Sequence, residues 1–362
     1  MREKKINIIF VIPSLAAGGA ERILSFVAQN LNKDTFNTTL LVTGYEKNTV
    51  YELDNLNIIY LNKSRVLKSF FTVFLFLKKI KPDIVVSSIV HLNILMAFMS
   101  PFFRNTKFVA REANVISVLN KYNTSSSIFF SDRVITFAYK LVDCILCQSK
   151  DMQADVVNYF NIPKEKTILI NNPITNNFKL KTNSKQKNEI IRFITIGRLS
   201  KEKGHLRIID ALSQVRFPFH YTLIGGGIEK DSIFAALHKA GIEDQVTYIE
   251  FTKEVDKHLS NSHLFLQGSY VEGFPNVLIE SCVVGTPILA FNALGGLDEI
   301  IEIGKNGYLA NTLEEYVAYL NKINNDYIFI PETVRRVVEE RFNKEKIILK
   351  YESLFLNLVN LN

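Results

Sequence analysis

Short, almost uninterrupted apolar runs alternate along this chain with stretches of helical periodicity. Ile6–Ile12 is one such run, followed by Gly18-Gly19 and a helical stretch from Ala20 to Asn30. Thr38–Val42, Ile58–Leu61, Ile84–Ser87, Phe108–Ala110 and Cys144–Cys147 repeat the strand pattern. Strands that are apolar at nearly every position have both faces covered, as in a parallel sheet flanked by helices. The segment Asn176–Asn188 is polar and basic apart from Phe178 and Leu180, and reads as an exposed linker. Beyond it the alternation restarts. Ile190–Ile196, Tyr221–Ile224, Val246–Ile249, Leu264–Leu266 and Pro287–Phe291 read as strands, Leu206–Val215 and Asp231–Ala240 as helices, and Pro331 opens a last helical stretch. The pattern predicts an α/β fold of two doubly wound parallel-sheet domains, 1–175 and 176–340. A C-terminal helix over 341–362 is expected to pack back on the first domain. Ligands bind such folds where loops and helix N-termini converge at the carboxyl ends of the strands.

Composition adds a size argument and a charge argument. The 362 residues are 47% hydrophobic and include 27 Phe, enough to build two cores and to exclude a disordered or fibrous chain. Three cysteines are too few for a disulfide scaffold and suggest a reducing compartment. The start reads as a first strand rather than a signal peptide, and no apolar run approaches a membrane span; a cytoplasmic protein is expected. The net charge of +7 is uneven: residues 1–175 hold 21 Lys and Arg against 13 Asp and Glu, and the remainder is nearly balanced. The excess points to an anionic partner on the first half. Its densest stretch runs from Lys63 to Lys81 without an acid and encloses the apolar Phe70–Leu77. That composition suits a helix lying on an anionic membrane surface, and it equally suits a buried helix with basic ends. The basic charge lacks the interleaved aromatics or module of a nucleic-acid binder, so no nucleic-acid partner is expected.

Three glycine-bearing stretches carry candidate chemistry. Glu272 and Glu280, eight residues apart, flank a Gly273-Phe274-Pro275-Asn276 turn that leads into an apolar helix. Such a helix N-terminus suits a phosphate or a polar hydroxyl, and the carboxylates suit ligand hydroxyls. A surface loop whose acids merely cap the helix is the competing reading. After the first strand of the second half, Gly197-Arg198-Leu199-Ser200-Lys201-Glu202-Lys203-Gly204 places Arg and Lys five residues apart, which suits a pyrophosphate clamp. Gly18-Gly19 after the first strand allows close backbone approach at a helix start.

Taken in order, these stretches resemble the retaining glycosyltransferases of family 4. The resemblance covers about residues 6–310 and includes Gly225-Gly226-Gly227, Gly295-Gly296-Leu297-Asp298-Glu299 and Asn306-Gly307-Tyr308. It implies a GT-B architecture of two Rossmann-like domains facing across a cleft, and sugar transfer from a nucleotide-sugar with retention and without an essential metal. No Asp-x-Asp occurs in the chain. The resemblance gives Arg198 and Lys203 the donor diphosphate, Glu280 the ribose hydroxyls and Glu272 the sugar hydroxyls. Gly18, Gly19, Gly197, Gly225, Phe274, Asn276 and Val277 would line the same donor site. The Gly-Phe-Pro-Asn turn is common among members using UDP-sugars, so a UDP-sugar is the expected donor and no further cofactor is expected.

One departure stands out. Ser88 occupies the end of the fourth strand, where many members of that family carry a histidine, and His91 follows three residues later. Ser88, His91, Arg111 and Glu112 are therefore the acceptor-side candidates. Cys144 and Cys147 lie within a strand and, with Cys282, read as structural; the remaining histidines lack metal-ligand spacing. The leading expectation is transfer to a lipid-linked or glycan acceptor in capsule, O-antigen or lipopolysaccharide synthesis, at the inner face of the cell membrane. A soluble-acceptor transferase and a non-catalytic nucleotide-sugar binder are the alternatives.

Overall fold

The computed structural model describes residues 5–16, 18–50, 53–122, 131–182, 185–186 and 189–360. They form two units, each built on its own parallel sheet. The first unit comprises 1–113, 125–175 and 344–362, and the second 114–124 and 176–343.

In the first unit, strands β1 (Ile6–Ile12), β2 (Phe36–Val42), β3 (Asn57–Tyr60), β4 (Ile84–Ser88), β5 (Lys107–Arg111), β6 (Cys144–Cys147) and β7 (Thr167–Leu169) lie in the order β3-β2-β1-β4-β5-β6-β7. Every pairing is parallel, from Ile6 opposite Phe36 to Cys147 opposite Leu169. The strand order reverses between β1 and β4, because successive crossovers leave β1 on one side and return on the other. Phe10, Leu40, Val86 and Leu146 are buried within this sheet's core. Cys144 and Cys147 are buried free thiols there, and burial pushes the Cys144 thiol up to about 12.

The last helix, Lys344–Asn360, belongs to this first unit. Its Ile347, Ile348, Tyr351, Leu354, Phe355 and Leu358 recur at helical spacing and are all buried. Phe355 meets Phe10 and Phe36 edge-on, at 6.1 and 6.3 Å between ring centroids. Emptying a fully buried Phe site costs about 3–5 kcal/mol, so one side chain anchors the helix firmly.

The Phe-rich segment forms the helix Phe70–Ile80 and divides its faces. Val73 and Leu77 point inward, while Phe71 and Leu75, with Leu67 of the short 3-10 turn before the helix, are 76%, 63% and 58% exposed. Phe74 is half-buried against Phe102 and Phe103. Lys68, Lys78, Lys79 and Lys81 are exposed around the apolar stripe.

In the second unit, β8 (Ile191–Ile196), β9 (Phe219–Ile224), β10 (Val246–Ile249), β11 (Leu264–Gln267), β12 (Ile288–Phe291) and β13 (Gly307–Ala310) follow the order β10-β9-β8-β11-β12-β13, again all parallel. Here the order reverses between β8 and β11. The doubly wound parallel-sheet class is thus realised twice.

Three details differ from the sequence reading. β7 and β13 are additional edge strands, each only three or four residues long. Residues 114–124 fall in the second unit although they follow β5 of the first. The described part of the linker is not solvated throughout: Lys181 is 6% exposed, and its backbone N–H donates to Val284 O at 2.9 Å. Its ammonium donates to Ser262 O and Thr286 Oγ1, both at 2.9 Å, and burial pulls its pKa down to about 7.

Candidate functional site

The densest constellation lies at the carboxyl ends of β8 and β11, where the second sheet reverses its strand order. β8 ends at Ile196, and the following turn carries Gly197, the exposed Arg198 and half-buried Lys203. β11 ends at Gln267, and the loop after it carries Ser269, Tyr270 and Glu272. Lys203 Nζ donates to both carboxylate oxygens of Glu272, at 2.7 and 2.8 Å. Glu272 is only 5% exposed, and its Oε1 also accepts from Gln267 Nε2 at 2.7 Å and Ser269 Oγ at 2.6 Å. A carboxylate held by one cation and two neutral donors is fixed in orientation. The ammonium has a third N–H direction left for an anion.

Glycine makes this approach possible. Gly204 sits at φ +60°, and a Cβ there would stand 2.0 Å from Gly268 O. Gly225, at φ +145°, is packed so that a Cβ would stand 1.9 Å from Gly197 O. The turns after β8, β9 and β11 therefore touch backbone to backbone, which no side chain would allow. Leu199 N–H donates to Gly226 O at 2.9 Å, locking the same turns together.

The helix Asn276–Val284 starts directly after Pro275, so Asn276 and Val277 occupy its first turn and Glu280 its second. Glu280 Oε1 accepts from Asn176 Nδ2 at 3.1 Å, a partner in the linker. The Phe274 ring is buried and meets Phe342 edge-on at 5.3 Å, so Phe274 contributes backbone rather than side chain to the loop surface. The structure thus gathers Gly197, Arg198, Lys203, Gly225, Glu272 and Phe274 on the loops, and Asn276, Val277 and Glu280 on the helix start, that follow strands of the second sheet.

In the first unit, the corresponding reversal lies between β1 and β4. Gly18 caps the helix Gly19–Asn30 after β1. After β4, Ile89 adopts φ 78°, a conformation rarely taken by β-branched residues. Non-glycine residues held there store backbone strain, which concentrates at functional sites. His91 follows, exposed at the second position of the helix Val90–Met99, and partial desolvation holds its imidazole below the usual range.

Ser88, Arg111 and Glu112 differ from the acceptor-side expectation, because their side chains turn inward. They are 1%, 1% and 0% exposed. Arg111 donates to Ser88 Oγ at 3.3 Å and to Asn172 Oδ1 at 2.7 Å. Glu112 accepts from the Tyr139 hydroxyl and from Asn93 Nδ2, and Asn93 accepts in turn from Ser87 Oγ at 2.8 Å. Burial raises the Glu112 carboxyl to about 7, partly offset by these donors. A charged pair at a strand's carboxyl end reads as a surface site from sequence; here it forms the polar core beneath that end.

Gln267, Ser269 and Asn176 escaped the sequence reading. The available signal for the first two was polarity at the end of an otherwise apolar strand. Asn176 offered none, since its partner is 104 residues away. Among the described residues, no group of three or more His, Cys, Asp and Glu side chains is placed to hold a metal ion. None of their helices is long and apolar enough to cross a membrane.

Comparison with known proteins follows the same division. Residues 17–177 match the family model described as Glycosyltransferase Family 4, and residues 176–344 the one described as Glycosyl transferases group 1. An uncharacterized glycosyltransferase of Haemophilus influenzae is 25% identical over 371 residues, spanning 97% of this chain and 99% of the relative. A Campylobacter jejuni protein is 28% identical over 318 residues, spanning 84% of this chain and 86% of its own. Its name is N-acetylgalactosamine-N,N'-diacetylbacillosaminyl-diphospho-undecaprenol 4-alpha-N-acetylgalactosaminyltransferase. HepE of Anabaena, solved in complex with UDP, has a TM-score of 0.79 at 19% identity, covering 97% of this chain and 100% of that one. That likeness shows the fold class, two parallel-sheet domains of the GT-B type.

Proposed function

Because the chain belongs to the glycosyltransferases whose family models match its two halves, Glycosyltransferase Family 4 over 17–177 and Glycosyl transferases group 1 over 176–344, we propose that it transfers a sugar from a UDP-sugar to a lipid-linked or glycan acceptor, with retention and without a metal, in surface-polysaccharide synthesis. The observation that carries this reading is the Lys203–Glu272 pair on the loops at the β8/β11 reversal, with Arg198 exposed on the same turn. Lys203 and Arg198 take the charge that develops on the leaving diphosphate as the bond from the anomeric carbon breaks. The acceptor hydroxyl attacks from the face the diphosphate leaves, and its proton passes to the departing phosphate oxygen. Glu280 receives the ribose hydroxyls and Glu272 the sugar hydroxyls. Backbone N–H groups of Phe274, Asn276 and Val277 supply neutral donors.

The acceptor class draws support from the diphospho-undecaprenol in the Campylobacter relative's name. It draws more from the exposed Leu67, Phe71 and Leu75 stripe among lysines, a composition suited to an anionic bilayer surface on the cytoplasmic side. His91, exposed where the first sheet reverses, stands on the acceptor side of this reading.

A thermal-shift panel of UDP, GDP, ADP and UDP-sugars, each with and without magnesium, tests it. Ligands that bind the native state raise its melting temperature. Stabilisation by UDP and a UDP-sugar, unchanged by magnesium, is the expected result. A response only with magnesium, or only to another nucleotide, overturns the clamp or the donor.

A further inference from the structure

Residues 114–124 follow β5 in sequence yet belong to the second unit. Their described helix, Ile116–Tyr122, ends on a half-buried tyrosine whose ring stacks on Tyr270, with centroids 4.9 Å apart and planes 16° from parallel. Tyr270 lies two residues before Glu272, and its backbone N–H donates to Glu202 O at 2.8 Å, beside Lys203. The Arg207 guanidinium stands 4.5 Å from the Tyr270 ring centroid and 3.8 Å from that of Phe291. Phe291 stacks on the fully buried Tyr316 at 4.2 Å. Four rings and one planar cation thus form a column from helix 116–122 to the core of the second unit.

The column grips the loop that carries Glu272. Arg207 Nη1 donates to Gly268 O at 3.3 Å and Ser269 O at 3.4 Å, and Ser269 Oγ donates to Glu272. The loop itself is poorly constrained by composition, with Gly268 before Tyr270 and Gly273 after Glu272. Its order must come from contacts such as these. Arg suits the central position and Lys does not, because only a planar guanidinium stacks on two rings while donating in its own plane.

We propose that Tyr122, Tyr270 and Arg207 are positioning residues, and that helix 116–122 braces the loop after β11 so that Glu272 and Lys203 stay paired in their donor-ready geometry. The functional meaning rests on the donor-site reading above; the brace itself does not. It gives the segment after β5 a role in organising the donor loop.

Two measurements on the full-length protein separate the claims. The first is amide hydrogen exchange without ligand, comparing wild type with Tyr122→Ala, Tyr122→Phe and Arg207→Lys. Tyr122→Ala and Arg207→Lys should speed exchange of residues 269–273 about three- to tenfold, while β8 and β11 stay unchanged. Tyr122→Phe keeps the ring and should match wild type. Unchanged exchange in Tyr122→Ala, or failure of Tyr122→Phe to match wild type, overturns the brace. The second is calorimetric binding of UDP and of UDP-N-acetylgalactosamine. A several-fold weaker Kd in Tyr122→Ala at unchanged Tm supports the link to the donor. Faster exchange in a protein whose wild type binds neither probe leaves the brace standing and removes the donor reading instead.

Discussion

Lys203→Ala tests stability and chemistry through one pair of contacts. The substitution removes both bonds of 2.7 and 2.8 Å to Glu272, leaving a 5% exposed carboxylate with only Gln267 and Ser269 as side-chain donors. Breaking a fully buried pair from one side costs about 3–5 kcal/mol, whereas an exposed pair contributes at most about 1 kcal/mol. The Lys203 side chain is 27% exposed, which places the expected loss between these limits, about 2 kcal/mol. That corresponds to a fall of about 4–8 °C in Tm for a cooperative unit of roughly 150–250 residues. Adding Glu272→Gln removes the stranded charge, so the double variant should be more stable than Lys203→Ala alone. A double-mutant cycle by thermal and urea unfolding reads this coupling. Turnover behaves differently: with Lys203 in the proposed role at the leaving diphosphate, its loss should lower kcat/KM about 10²–10³-fold, and Glu272→Gln should not restore it. Strictly additive stabilities, or turnover within threefold of wild type, would refute the argument.

Three further outcomes follow from particular contacts. Gly204→Ala should lower Tm clearly, because its φ of +60° costs an L-residue about 1–2 kcal/mol and the new Cβ would meet Gly268 O at 2.0 Å; an unchanged melt would mean the two turns are not in contact. Glu112 should make stability fall as pH rises from about 4.5 to about 7, since the folded carboxyl stays protonated there while the unfolded one ionises. The loss amounts to about 3 kcal/mol over that window, and Glu112→Gln should flatten the slope in urea titrations at stepped pH. Replacing Leu67, Phe71 and Leu75 together by Ser should leave Tm within a few degrees, because all three are exposed, and under the proposed membrane reading should abolish the flotation with phosphatidylglycerol vesicles expected of the wild type; no flotation of the wild type, or retained flotation of the variant, would refute that role for the stripe.

Much of this protein was decided locally. The apolar runs specify strands buried on both faces, and their alternation with helices specifies two parallel sheets, because only crossover helices can cover both sides of such strands. The spacing of Arg198, Lys203, Glu272 and Glu280 around glycine turns was equally legible, since strand ends and helix starts are set by nearby residues. Short edge strands such as β7 and β13 were not, because three or four residues carry too little periodicity to mark a strand.

Tertiary structure decided whatever depends on partners far apart in the chain. Composition left Phe70–Leu77 undecided between core and surface, and packing split it, with Val73 and Leu77 inward and Phe71 and Leu75 outward. Arg111 and Glu112 looked like surface charge at a strand end. They became part of a buried network because Asn172, Tyr139 and Asn93 arrive from other elements to bond with them. Lys181 in the linker and Tyr122 after β5 follow the same rule, taking partners 81 and 148 residues away. Local propensity and patterning act over a few residues, whereas burial and hydrogen-bond satisfaction are settled only when the whole chain has closed on itself.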